Sequence, residues 1–217
     1  MNFLKLDSPL MKFLGRMADL MIVNILTVLL CIPVITAGAS FTAMHYVLLK
    51  LSRNEEGYLV RSFFKSFKQN FVQATILWII MANVAVVLYV DWRYILTLQG
   101  QTQFTFKVLF ALLVLLISLG LVYIFPLLSR YQNTVGGTIK QAFRIAYSGF
   151  PAMLRAFAGA ALALSPLFFA WYTTFKLIPI LAVFCFSVPG YFRALLYSGI
   201  FKKLEGGDKP SSEEDPS

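Results

Sequence analysis

The chain has 217 residues, of which 59% are hydrophobic and only 13% charged, and its mean hydropathy is +0.73. Soluble chains average about 45–50% apolar and about 25% charged, so disorder is excluded and a water-soluble globule would have no place to bury the surplus apolar area. The net charge is +9, with residues 205–217 contributing −4 and residues 1–204 the remaining +13. The cations cluster between long apolar runs, which fits loops on one side of a bilayer and not a nucleic-acid footprint.

A crossing helix needs about 20 mostly apolar residues. Residues 18–37, 71–90, 108–128, 156–175 and 177–192 meet or approach that length, which predicts five spans, the last two separated by Lys176 alone. The N-terminal stretch has no small-residue cleavage signature, so it is expected to be a retained helix. With no water in the hydrocarbon region each span must satisfy its own backbone, so the expected fold is all-α, a polytopic transmembrane helical bundle. Residues 1–204 read as one integral membrane domain and residues 205–217 as a disordered acidic C-terminal tail.

Orientation follows the Lys/Arg asymmetry. With five spans, the segments 50–70, 129–155 and 193–217 share one side and hold 13 of the 19 basic residues. That predicts a cytoplasmic C-terminus and an N-terminus outside. Lys5, Lys12 and Arg16 pull against this arrangement. The alternative is a break between Pro33 and Gly38 that folds residues 18–51 into a re-entrant hairpin with both ends inside. In that alternative the second limb, residues 39–51, is about 13 residues long and too short for a full crossing.

Two connecting segments carry helical periodicity. Phe63, Phe64, Phe67 and Phe71 alternate with Arg61, Lys65 and Lys68, and Ile139, Phe143, Ala146 and Phe150 with Lys140 and Arg144. Both read as basic amphipathic helices at the cytoplasmic interface, with the aromatics in the acyl boundary and Arg61, Lys65, Lys68, Lys140 and Arg144 on lipid head groups.

Ionisable groups at depth usually mark function, and here they are scarce. Asp19 near the end of the first span is expected to pair with Arg16, one turn back, with ion coupling as the sharper reading. Asn24 and Asn83 are the polar residues at real depth, suited to interhelical hydrogen bonds or to a substrate-binding amide. These three form the candidate intramembrane polar site. Ala152, Ala156, Gly159, Ala160 and Ala163 make a small-residue stripe that would admit a close helix, inside the bundle or from a partner. His45 reads as an interface residue. Glu55 and Glu56 read as neutralising neighbouring cations. Cys31 and Cys185 sit in apolar runs and read as packed thiols. No nucleotide loop, nucleophile elbow, metal-ligand spacing or dinucleotide motif occurs, so no catalytic residue, metal or cofactor is expected.

Residues 7–75 carry DSPLM (7–11), RMADL (16–20), a Pro-x-x-Thr-x-Gly-Ala-Ser run from Pro33 to Ser40, and the stretch from Lys50 through Glu55, Glu56, Gly57 and Tyr58 to Phe71. In this the chain resembles the YesL-like family of bacterial integral membrane proteins, a domain of unknown function. QNT (132–134), TIKQAF (138–143) and SGIFKKLE (198–205) extend the resemblance more loosely. The resemblance implies a multi-span protein of the bacterial cell membrane with an accessory role near sugar ABC transporters, and supplies no catalytic residues. The favoured expectation is therefore a non-enzymatic accessory or scaffold partnered by the lipid bilayer and a sugar-permease subunit or membrane sensor. A small secondary transporter or channel is the alternative, and nucleic acid is not an expected partner.

Overall fold

The computed structural model describes residues 9–55, 58–131, 134–172 and 186–206, all helix or connecting turn with no strand among them. Helix α1 (Pro9–Cys31) opens on a proline, whose fixed φ and missing amide suit a first helical turn. It stops before Pro33, which sits in extended backbone (φ −76°, ψ 109°) and bars the preceding residue from helical geometry. A short 3-10 turn over Val34–Thr36 leads into α2 (Ala37–Ser52). Leu20, Val23, Asn24 and Thr27 recur at helical spacing and form the buried stripe of α1.

Helices α1 and α2 run antiparallel. Near the turn the Ser40 hydroxyl donates to the Thr27 carbonyl at 2.9 Å, and at the far end the Arg16 guanidinium donates to Asn54 Oδ1. Asn54 takes the left-handed conformation (φ 55°) that asparagine tolerates better than most residues. The expected single crossing over 18–37 is thus replaced by a hairpin. Its second limb is a helix of 16 residues, and Val34–Ser52 as a whole is long and apolar enough to cross a membrane. Helix α2 is the centre of the molecule, with Ala39, Ala43, Met44 and Leu48 at 0% exposure.

Helix α3 (Leu59–Ile95) is one element of 37 residues, about 55 Å at the usual rise. The basic aromatic stretch 61–71, expected as a separate helix in the membrane plane, is its first third. No Gly or Pro lies between 59 and 95 to interrupt the ladder. Phe63, expected in the acyl boundary, is fully buried in the core. Gly38 of α2 crosses α3 where a Cβ would meet the Ala74 carbonyl oxygen at 2.5 Å and Trp78 Cβ at 2.8 Å. Beyond Leu77 the helix buries no residue until Ile95.

Helix α4 (Gly100–Leu121) returns beside α3, starting at Gly100 in the left-handed region (φ 63°), with Phe110 against Trp92 at 5.6 Å. It buries no residue before Leu119. The outer parts of α3 and α4 thus form a two-helix arm with most of its surface exposed. Pro126 lacks the amide that would bond the Val122 carbonyl, and the chain turns there into the short α5 (Ile124–Leu128).

Helix α6 (Val135–Ala146) starts at Thr134, whose Oγ1 accepts from the Gly137 amide at 3.2 Å. It is amphipathic as expected, but Thr138, Ala142, Ile145 and Ala146 face the bundle, and the Phe143 ring lies over Gly120 of α4. The apolar face is thus used for internal packing, leaving Lys140 and Arg144 exposed. Helix α7 (Phe150–Tyr172) overlaps the fourth expected span, 156–175, of which residues 173–175 lie outside the described residues. Most of the fifth, 177–192, lies outside the described residues, as does the tail beyond Gly206.

Helix α8 (Ser187–Gly206) starts beside Asn24 in the middle of α1 and runs toward the end where Arg16 donates to the Tyr191 hydroxyl at 2.6 Å. One end of the bundle therefore gathers Arg16, Lys50, Arg53, Arg61 and Lys65, and the α3–α4 turn marks the other. Four described segments are long and apolar enough to cross a membrane: Met11–Cys31, Val34–Ser52, Leu59–Ile95 and Gly100–Leu128.

Candidate functional site

The three polar residues singled out in the sequence go to three different places. Asn24 is fully buried, and its Oδ1 accepts from the backbone amides of Phe186 (3.0 Å) and Ser187 (3.1 Å). The first amides of any helix lack partners within it. Asn24 thus supplies from α1 the N-terminal cap of α8, a tie between residues more than 160 positions apart. Asn83 is exposed on α3, and its amide donates to the Ile79 carbonyl of its own helix at 2.8 Å, so it lines no interior site. Asp19 borders a small pocket of about 160 Å³ with Lys50, Glu55 and Ser62 at the basic end. Arg16, its expected partner, directs its hydrogen bonds to Asn54 and Tyr191, while its charge still acts on Asp19.

The small-residue stripe on α7 is used inside the bundle. Ala156 is fully buried, and Gly159 lies directly under the Tyr197 hydroxyl of α8. The Ala152 carbonyl accepts from the Tyr123 hydroxyl at 3.2 Å. Ala160 and Ala163 do something else, because they leave space.

That space is a cavity of about 290 Å³ at mid-height, bordered by α2, α3, α4, α5, α7 and α8. One wall is aromatic. The Phe41 ring stands 5.6 Å from Phe186, 6.1 Å from Phe125 and 6.4 Å from Trp78. Met81, Leu121, Val122, Leu164 and Pro189 complete the apolar lining. Its polar groups are Ser118, whose hydroxyl is turned back to the Leu115 carbonyl, and the side chains of His45 and Arg193. His45 is 2% exposed, so it is an interior residue and not the interfacial one expected. Arg193 Nε is buried without a hydrogen-bond partner.

Neither residue stood out in the sequence as a site. Arg193 is the single charge between the apolar runs 177–192 and 194–201, and reading those runs as one stretch would have marked it. His45 follows small residues that permit close helix packing: Gly38, Ala39 and Ala43 are buried on the same helix.

The basic residues form a second locality. Arg61 and Lys65 border a groove of about 470 Å³ with Tyr46, Lys50, Tyr58 and Ser62. Lys65 also borders an adjoining groove of about 570 Å³ that reaches Asn70, Arg130 and Tyr131. Lys50 Nζ lies over the Tyr46 ring, 5.3 Å from its centre. Lys68, Lys140 and Arg144 are exposed and border neither groove. Arg53 and Glu55 form a surface ion pair at 3.7 Å, the neutralising role expected of Glu55. Among the described residues no cluster of His, Cys, Asp and Glu is arranged to hold a metal ion.

No curated protein and no solved structure matches the chain. A family model described as "Protein of unknown function, DUF624" matches residues 20–92, the stretch from the buried face of α1 through the hairpin to the outer end of α3. The chain is thus an all-helical protein with four apolar segments of membrane-crossing length, similar over a third of its length to an uncharacterised family.

Proposed function

We propose that the chain is a non-enzymatic accessory of the bacterial cell membrane that docks a helical subunit of a solute-uptake system, with a sugar permease as the class of partner. The observation that carries this reading is the arm formed by α3 and α4. Between Leu77 and Ile95 of α3, and from Gly100 to Ser118 of α4, no residue is buried. Val86, Val87 and Val90 are each about 60% exposed. Two helices that stand apart from the bundle offer a partner far more apolar surface than a packed span does, and van der Waals packing is what drives association in lipid. The YesL-like resemblance supports the sugar-uptake setting. A photo-crosslinking residue at Val86 or Val90 is expected to trap a permease subunit identifiable by mass spectrometry in native membranes, while one at Leu29 of α1 is not. Equal adduct yields at all three positions would remove the arm from the proposal.

The basic end is proposed to face the cytoplasm. Because α1 and α2 form a hairpin, this places the N-terminal segment inside as well, and the pull of Lys12 and Arg16 against the other cations disappears. A membrane-impermeant maleimide should label Lys12→Cys and Lys65→Cys from the same face and Gln99→Cys from the opposite one. Labelling of Lys12→Cys together with Gln99→Cys would restore the five-span arrangement.

A second reading, a small transporter or channel, draws support from the mid-height cavity with its two nitrogen-bearing side chains. Transport sites commonly lie near the bilayer midplane beside interrupted helices. Uptake in proteoliposomes that is lost on Arg193→Gln would favour it.

A further inference from the structure

Arg193 is a half-buried cation that borders the mid-height cavity. Its Nε is buried and has no hydrogen-bond partner. Among the described residues the one ion pair, Arg53–Glu55, lies at the basic end. A charge withdrawn even partly from water is costly unless an opposite charge meets it. Arg193 shares its cavity with the almost fully buried His45. Apart from Ser118, whose hydroxyl is turned back to its own helix, the remaining lining is apolar and aromatic, and the volume of about 290 Å³ stands just below the usual range for small-molecule sites, roughly 300–1,000 Å³.

An apolar chamber that carries a guanidinium and an imidazole suits a molecule with an apolar body and one anionic head. The planar guanidinium matches a carboxylate or phosphate in two parallel hydrogen bonds. The imidazole offers a further donor. The aromatic wall around Phe41 takes the body. We infer that this cavity binds a small amphiphilic anion, with its head on Arg193 and His45 and its apolar part against Phe41, Trp78 and Phe125. The inference rests on the cavity of the second reading above and does not involve the docking arm. Its test measures binding and not flux, so a protein that binds without transporting is told apart from one that does neither.

Trp78 borders the cavity and serves as the reporter. In the full chain carrying Trp92→Phe and Trp171→Phe, reconstituted in phosphatidylcholine nanodiscs, 8-bromooctanoate is expected to quench Trp78 saturably. The neutral 8-bromooctanol should need at least ten-fold more. Arg193→Gln should weaken the bromooctanoate titration at least ten-fold and Arg193→Lys less. Ala163→Leu, which fills the cavity from α7 and leaves both nitrogen groups in place, should abolish saturation. If Arg193→Gln does not fold, Ala163→Leu decides alone. Titrations of both variants that overlay the unsubstituted protein, or equal quenching by the alcohol, would overturn the inference. Nanodiscs with phosphatidylglycerol distinguish the source. Displacement of the probe there assigns the anion to a lipid, and undiminished binding assigns it to a free solute.

Discussion

Gly38→Leu is expected to leave no folded protein in detergent, and Gly38→Ala to lower the unfolding free energy by about 1–3 kcal/mol, the usual cost of overpacking a tight contact. The atoms that a Cβ would strike decide the matter. The Ala74 carbonyl oxygen, at 2.5 Å, is backbone and cannot move without moving α3, and Trp78 Cβ, at 2.8 Å, is fixed to that same helix. A longer side chain must therefore separate α2 from α3. Helix α2 is the most buried of the long helices, with Ala39, Ala43, Met44 and Leu48 all at 0% exposure, so displacing it opens contacts to α1, α3 and α8 together. Gly15 supplies the control. A Cβ there meets nothing within 4 Å, and alanine should be neutral or stabilising by up to about 1 kcal/mol because glycine is a poor helix former. Denaturant unfolding in a mixed-micelle system measures both. Equal midpoints for Gly38→Leu and the unsubstituted chain would show that the α2–α3 crossing is not as close as described.

The second large effect is expected at Asn24. Asn24→Leu removes the acceptor for the amides of Phe186 and Ser187 at the start of α8. A buried donor left without a partner costs about 1–3 kcal/mol, so the two together set an upper range of about 2–6 kcal/mol, reduced by what water recovers at the part-buried Phe186 amide. Asn24→Asp retains an acceptor oxygen of the same shape at a helix N-terminus, which favours negative charge by at most about 2 kcal/mol, but an unpaired carboxylate at a fully buried position costs more than that, so its stability should fall between that of Asn24→Leu and the unsubstituted chain. Hydrogen exchange gives the local readout. Protection of the first turn of α8 should fall in Asn24→Leu before that of α3 does. Uniform loss across all helices would mean that Asn24 supports the bundle generally and not this terminus in particular.

Much of this was legible in the sequence, and the exceptions have physical reasons. The apolar runs mark the bilayer as solvent and the helix as the element. Pro33 marks a break, but a window search for one crossing of about 20 residues joins its two sides into a single span. A break drawn across Pro33 to Gly38 leaves the second limb short, whereas the chain resumes a helical turn at Val34 and α2 begins at Ala37, so Val34–Ser52 reaches crossing length. The aromatic periodicity over 61–71 was correctly helical. Periodicity does not report what a face packs against, and Phe63 and Phe143 face protein. Asn24 was identifiable as a buried polar residue, whereas its partners lie at the other end of the chain and no local pattern points to them. Asn83 has the same composition-level signature and turns outward, since rotation about a helix axis is fixed by packing and not by hydropathy. Arg193 directly follows the apolar run 177–192, so composition alone groups it with the cations of the segment 193–217.

The α1–α2 hairpin also bears on biogenesis. Between Arg16 and Lys50 the one residue with a formal charge is Asp19, only three positions into the segment, and the turn itself is Ile32, Pro33, Val34, Ile35 and Thr36. A translocon inserting this pair need carry nothing but neutral chain to the far leaflet. The hydroxyls of Thr27, Thr36 and Ser40 are already engaged with carbonyls inside the pair. The two limbs can therefore enter as a single preformed wedge, with a cation at each trailing end as its anchor.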